Sequence, residues 1–139
     1  MANQIAGDLE RHWSEVKIQP EDVVLVAEKA EIIGFIAVWC RPDPFIENLH
    51  VKPSNRSEGV GSMLMTVAAR KMIQQGHKTV YLWVVANNKR AIRLYQRLGG
   101  VCTDQALKNL FGHAVPNVKM VWSDISVLCR TMGYGCLVV

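Results

Sequence analysis

Apolar and polar positions alternate along the chain with different periods, and those periods divide it into elements. Leu9, Trp13 and Val16, set among polar neighbours, have the spacing of a short amphipathic helix over residues 9 to 18 that stops before Pro20. Val23 to Ala27 and Ile32 to Trp39 are rich in β-branched residues and are joined by the polar stretch Glu28-Lys29-Ala30-Glu31, which predicts an antiparallel hairpin. Arg41-Pro42-Asp43-Pro44 is a turn-forming break, and Phe45 to Val51 reads as a third strand ended by Pro53-Ser54-Asn55. From Gly59 to Gln75 the period changes. Val60, Met63, Leu64, Val67, Ala68 and Met72 recur at i, i+3 and i+4 spacing and predict one long helix closed by Gly76. Thr79 to Val85 is β-branched or aromatic throughout, as in a strand buried on both faces. Asn87 or Asn88 then caps a second helix whose inner face is Ala91, Ile92, Leu94, Tyr95 and Leu98, and Gly99-Gly100 ends it. Val101 onwards predicts another strand and Asn117 to Trp122 one more, with a less regular segment between them.

A helix between the strands at 45–51 and 79–85 makes a crossover, which places two parallel strands side by side with right-handed topology. The predicted fold class is therefore α/β, an α+β mixed sheet, in a single domain over 1–139. Residues 1–20 form an N-terminal helical segment. The tail over 124–139 is apolar from Ile125 on, and its pattern fits an extra strand, a dimer contact or no structural purpose, without choosing among them.

Composition narrows the classes. Half of the 139 residues are apolar and a fifth are charged, ordinary for a packed domain of this size. The longest nearly pure apolar stretch, Ile32 to Cys40, is nine residues, about half of the roughly 18 a membrane-spanning helix needs. No basic start followed by an apolar run precedes Asp8 and Glu10, so no secretory signal is visible and the expected location is cytoplasmic. A net charge of +4 suits an anionic small-molecule ligand. Nucleic acid is not expected, because basic residues are never more than two together, as in Arg70-Lys71 and Lys89-Arg90. Cysteines at 40, 102, 129 and 136 form no Cys-x-x-Cys pair, which argues against a metal site or a disulfide framework.

The stretch from Val51 to Gly61 carries the chemistry. It leads from a strand into a long helix, and glycines there let an anion reach the unpaired N–H groups at the helix start. Arg56 adds a charge. A Walker loop requires Gly-Lys-Ser/Thr, whereas Ser62 and Met63 follow Gly61. A dinucleotide-binding loop requires a tight turn directly after the strand, a third glycine where Leu64 stands, and a later carboxylate that residues 80–88 lack. What stands here is Arg56-x-x-Gly59-x-Gly61 after a strand, then Asn88-x-x-Ala91-x-x-x-Tyr95-x-x-x-Gly99.

This ordered pair of motifs resembles the GNAT superfamily of acetyl-coenzyme-A-dependent N-acetyltransferases, and the resemblance covers roughly residues 22 to 122. It implies a GNAT-like fold with acetyl-CoA as donor, an amine acceptor, and direct transfer in a ternary complex. The coenzyme pyrophosphate would lie on Arg56, Ser57, Glu58, Gly59, Val60, Gly61 and Ser62. The pantetheine arm would pair along Leu49 and Val51 like an added strand, in a gap between the strands at 45–51 and 79–85, with Asn88 bonding it. Tyr95 matches the tyrosine that donates to the leaving thiolate. The base is Glu47, His50 or water, and a bulge usual in this strand would alter which of the two side chains shares a face with the coenzyme. The acceptor implied is a small-molecule primary amine, with a peptide or protein amine as an alternative and a CoA-binding module without turnover as another. The resemblance also marks departures. Relatives usually begin with another strand and two helices, and many have an aromatic residue where Gly100 stands, so a second subunit or the apolar tail is a candidate to complete the acceptor side.

Overall fold

The computed structural model describes residues 19–40 and 43–130, which form β1 (Val23–Lys29), β2 (Glu31–Cys40), β3 (Pro44–Val51), a short 3-10 helix (Pro53–Glu58), α1 (Val60–Gln74), β4 (Val80–Val85), α2 (Lys89–Arg97), β5 (Val101–Leu110), β6 (His113–Trp122) and α3 (Ser126–Arg130). The expected helix over 9–18, the turn at Arg41-Pro42 and the end of the tail lie outside the described residues. Six strands make one sheet in the order β1-β2-β3-β4-β6-β5. The mixed α+β architecture is the one the crossover predicts: β3 and β4 are parallel, and every other neighbouring pair is antiparallel.

Local chemistry sets the strand ends. Ala30, at φ +64°, turns β1 into β2. Asp22 ties the far end of that hairpin, accepting from Gln19 N–H and from Cys40 N–H, both at 2.9 Å. Between β2 and β3 the register slips: Ala37 faces Asn48 and Val38 faces Ile46, which leaves Glu47 as the extra residue of a bulge. The bulge resets side-chain parity. Ile46, Leu49 and Val51 now share the core side of the sheet, while Asn48 and His50 go with Phe45 to the other.

All three helices contribute to one hydrophobic cluster on one face of the sheet. Leu64, Met65, Ala68 and Met72 of α1 meet Ile36, Val38, Ile46, Val80 and Leu82 of the strands, with Tyr95 from α2, Leu98 at its C-cap and Leu128 from α3. Fully burying side chains of this size contributes about 1.5–3 kcal/mol each, which is what holds a long helix whose start has no side-chain cap. The opposite face carries aromatic and basic residues. Phe45 stacks on Tyr81 at 5.6 Å, and Lys119 and Lys108 stand over the Tyr81 and Trp83 rings.

Two expectations are corrected. The stretch after Val101 is not irregular: β5 and β6 pair from Val101↔Val121 to Leu110↔His113 around Phe111 and Gly112, at φ +48° and +87°. Such a pair of left-handed residues matches the twist of two antiparallel strands. Alternation is hidden in β5 because nearly all its residues are exposed, so no apolar face marks the strand. The start of the apolar tail is a short helix, with Ile125 and Leu128 each 1% exposed. Thr66 of α1 fixes it by donating to Leu128 O at 2.9 Å.

Candidate active site

The parallel pair at the middle of the sheet is nearly open. β3 and β4 meet only at Phe45↔Tyr81, so from there to Val51 the β4 side of β3 has no partner strand. At the end of this gap Pro53 starts the 3-10 helix, and Gly59, at φ +78°, turns the chain into α1. A Cβ built on Gly59 meets nothing within 4 Å, so the left-handed turn faces open space. On the other side Asn88 caps α2, its carboxamide oxygen accepting from Ala91 N–H at 3.2 Å.

Together these parts enclose a cavity of about 550 Å³. Eight of the residues singled out from the sequence line it: Leu49 and Val51 from β3, Arg56, Gly59, Gly61 and Ser62 from the loop and first turn of α1, and Asn88 and Tyr95 at α2. Three do not. Val60 is buried in the core, Glu58 accepts from Asn55 Nδ2 at 3.0 Å, and neither lines the cavity. Glu47, half-buried in the bulge of β3, also lies outside the lining, whereas His50, its competitor as base, lies within it.

Sequence reasoning missed the arginines. Arg90, Arg93 and Arg97 of α2 line the cavity beside Arg56. Their i, i+3, i+7 spacing was legible, as one face of the helix whose apolar face drew attention instead. Neither α1 nor α2 has an acidic residue in its first turn, although acids there would suit the helix dipole. Two positive helix starts and four guanidiniums therefore converge on one space, a field that suits a multiply charged anion.

Tyr95 is a buried member of the set, 7% exposed yet part of the lining. Burial pushes its phenol up to about 12, so it holds its proton across the neutral range. Its ring meets Trp122 edge on, and Trp122 Nε1 donates to Leu98 O at 3.1 Å. Gly100 lies flat against the same indole: a Cβ there would come within 2.8 Å of the ring.

Comparison with known proteins agrees with this geometry. The family model described as "Acetyltransferase (GNAT) family" matches residues 3–100. A mycothiol acetyltransferase of Streptomyces coelicolor is 31% identical over 97 residues, 68% of this chain and 31% of its own length. The chain thus spans about a third of the curated relatives of this kind that it matches. A protein of Bacillus anthracis str. Ames described as a candidate streptothricin acetyltransferase, solved in complex with acetyl coenzyme A, superposes with a TM-score of 0.69 at 20% identity, over 79% of this chain and 66% of that one. The ribosomal-protein-S18-alanine N-acetyltransferase of Escherichia coli gives 0.68 at 20% identity, over 81% and 74%. No helix among the described residues is long and apolar enough to cross a membrane.

Proposed function

The chain belongs to the acetyltransferase (GNAT) family, and from that premise we propose that it transfers the acetyl group of acetyl-CoA directly to a primary amine of a small molecule. One observation carries the reading: the open edge of β3, the Gly59 turn and the cation cluster border a single cavity. An extended amide-bearing arm needs a strand edge to pair with, and a pyrophosphate needs exposed N–H groups and positive charge; each is present, in the order a linear donor requires.

The coenzyme supplies an activated acetyl thioester. N–H groups of the loop from Arg56 to Ser62, with the Arg56 guanidinium, hold its pyrophosphate. The unpaired edge at Leu49 and Val51 receives the arm. Asn88 uses its oxygen for the helix cap, so its NH2 is the group left to bind an arm carbonyl. The amine nitrogen bonds to the acetyl carbon, the carbon–sulfur bond breaks, and the amine proton leaves to Glu47, to His50 or to water. Sulfur takes the proton that Tyr95 holds, and a β3 backbone N–H steadies the carbonyl oxygen as charge gathers on it. Tyr95 serves this role because burial keeps it protonated.

Thermal unfolding with acetyl-CoA, CoA, NADH and ATP side by side tests the donor. At a hundred times its dissociation constant a ligand adds about 2.7 kcal/mol, a shift of several degrees for a domain of this size. A shift with acetyl-CoA and CoA alone supports the reading, and a shift with NADH or ATP alone overturns it. A panel of small amines, assayed by released thiol, then tests transfer. Binding without thiol release would make the protein a CoA-binding module, and release only with peptide amines would move the acceptor class.

A further inference from the structure

We propose that β5 is an interface strand: the outer edges of two copies of this chain pair antiparallel about Ala106, so that their sheets become one. The inference is independent of the coenzyme reading above.

The sheet has two rims, β1 and β5. β1 is short and interrupted, with seven residues, a register shift between Ala27 and Glu28 and a charged end at Glu28-Lys29. Such features keep an edge from pairing with other chains. β5 is built differently. It runs ten residues without a proline, and no strand among the described residues covers its outer side. Its bulge lies near its start, between Cys102 and Asp104, and from Asp104 to Leu110 the register with β6 is unbroken. Val101 and Leu107 are 61% and 71% exposed, although apolar side chains gain free energy from burial. A long, regular and partly apolar rim of this kind is a template for a further strand.

The placing of charge identifies that strand. Asp104, Ala106 and Lys108 stand opposite Lys119, Asn117 and Val115 of β6, so all three share the sheet face away from the helices. Two copies related by a two-fold axis normal to the sheet keep this face continuous, which sets residues of like parity opposite one another. Centring the pair on Asp104 or on Lys108 opposes like charges. Centring it on Gln105 or Leu107 gives each charge an uncharged neighbour. With Ala106 at the axis, Asp104 of each copy faces Lys108 of the other, twice by symmetry, and a small side chain stands where the same residue meets itself. Opposite charges in directly facing positions stabilise a strand pair, and like charges destabilise it. Neither side chain has an ion-pair partner among the described residues. Asp104 accepts from Thr103 Oγ1 at 3.2 Å, and Lys108 stands over the Trp83 ring, 3.9 Å from its centre.

The test is sedimentation equilibrium of the wild type, of Asp104→Lys, of Lys108→Asp and of the two variants mixed in equal amounts, with circular dichroism confirming that each is folded. The wild type is expected to be a dimer whose dissociation constant rises with added salt. Each single variant opposes like charges at both sites and should weaken the dimer about tenfold or more. In the mixture every facing pair is again of opposite sign, so a dimer of one copy of each should return, which a variant that merely damages the strand would not give. Where a charge reversal prevents folding, Asp104→Asn and Lys108→Gln replace the pair, and each should weaken the dimer in the same direction by a smaller factor. A monomeric wild type overturns the proposal, as does a dimer that the single variants leave unchanged. Two weakened variants that fail to pair when mixed overturn the register about Ala106.

Discussion

Tyr95 and Trp122 meet edge to face, with ring centroids 5.9 Å apart and planes at 88°. The contact joins the cavity-lining helix to the strand beyond it, and the indole N–H bond to Leu98 O locks the tryptophan at the point where α2 ends. The proposed proton donor therefore takes its position from a residue of β6. Trp122 also occupies the room beside Gly100, the position that the resemblance marks as a departure.

Tyr95→Phe is expected to lower kcat by about tenfold to a hundredfold and to leave the dissociation constant of acetyl-CoA within about twofold, because the hydroxyl is needed as sulfur leaves. Steady-state kinetics beside calorimetry separate the two; equal losses in both would mark a packing residue. The phenol also sets an alkaline limit on stability. Its pKa is about 12 when folded and about 10 unfolded, so the folded state holds the proton more tightly. That stabilisation is complete below pH 10 and is lost as pH rises towards 12. Melting temperatures of the wild type should fall more steeply across that window than those of Tyr95→Phe.

Glu47→Gln and His50→Gln distinguish the bases. Since Glu47 lies outside the cavity lining and His50 within it, the glutamine at 47 is expected to leave coenzyme affinity unchanged, and a fall in kcat of about a hundredfold there would assign the proton to Glu47. The change at 50 should act more on affinity than on kcat. The reverse pattern assigns the proton to His50, and two near-normal rates assign it to water.

Gly59→Val should cost about 1–2 kcal/mol through left-handed strain and also weaken acetyl-CoA binding at least about tenfold, since the new side chain fills the space beside the turn. Gly76→Val is the control. Gly76, at φ +91° and with open space around its Cβ, carries the same strain but does not line the cavity. Denaturant titration should show similar losses for the two, while only the first changes the dissociation constant.

Gly100→Ala places a methyl within 2.8–3.1 Å of an indole that is 1% exposed and has nowhere to go. The expected cost is about 1–3 kcal/mol. Adding Trp122→Leu should recover part of that loss, a non-additive result that two independent sites would not give. Urea unfolding of the two single variants and the double one measures it.

How much of this was readable beforehand follows from what each residue does. The glycine turn and Asn88 were legible because their roles depend on backbone geometry that few residue types allow. β1 to β4 were legible because buried faces impose a pattern. β5 was not, since a strand exposed on both faces imposes none, and only cross-strand pairing with β6 defines it. The bulge at Glu47 was anticipated through the resemblance alone; no local signal marks it, because it arises from the register between two strands. The arginines of α2 were visible as letters but had no meaning until the Gly59 turn stood opposite them. Trp122 as the support of Tyr95 needs the packed sheet to be seen at all.

The single rung between β3 and β4 has a further consequence for how the chain avoids its own kind. A strand edge with free N–H and C=O groups invites pairing with other chains, and proteins usually blunt such edges at the rim of a sheet. Here the free edge is internal, recessed between two strands that converge at Phe45 and Tyr81. An edge flanked by a neighbouring strand of its own sheet is not a rim, so β3 keeps free N–H and C=O groups without needing the charges, prolines or short lengths that blunt outer strands.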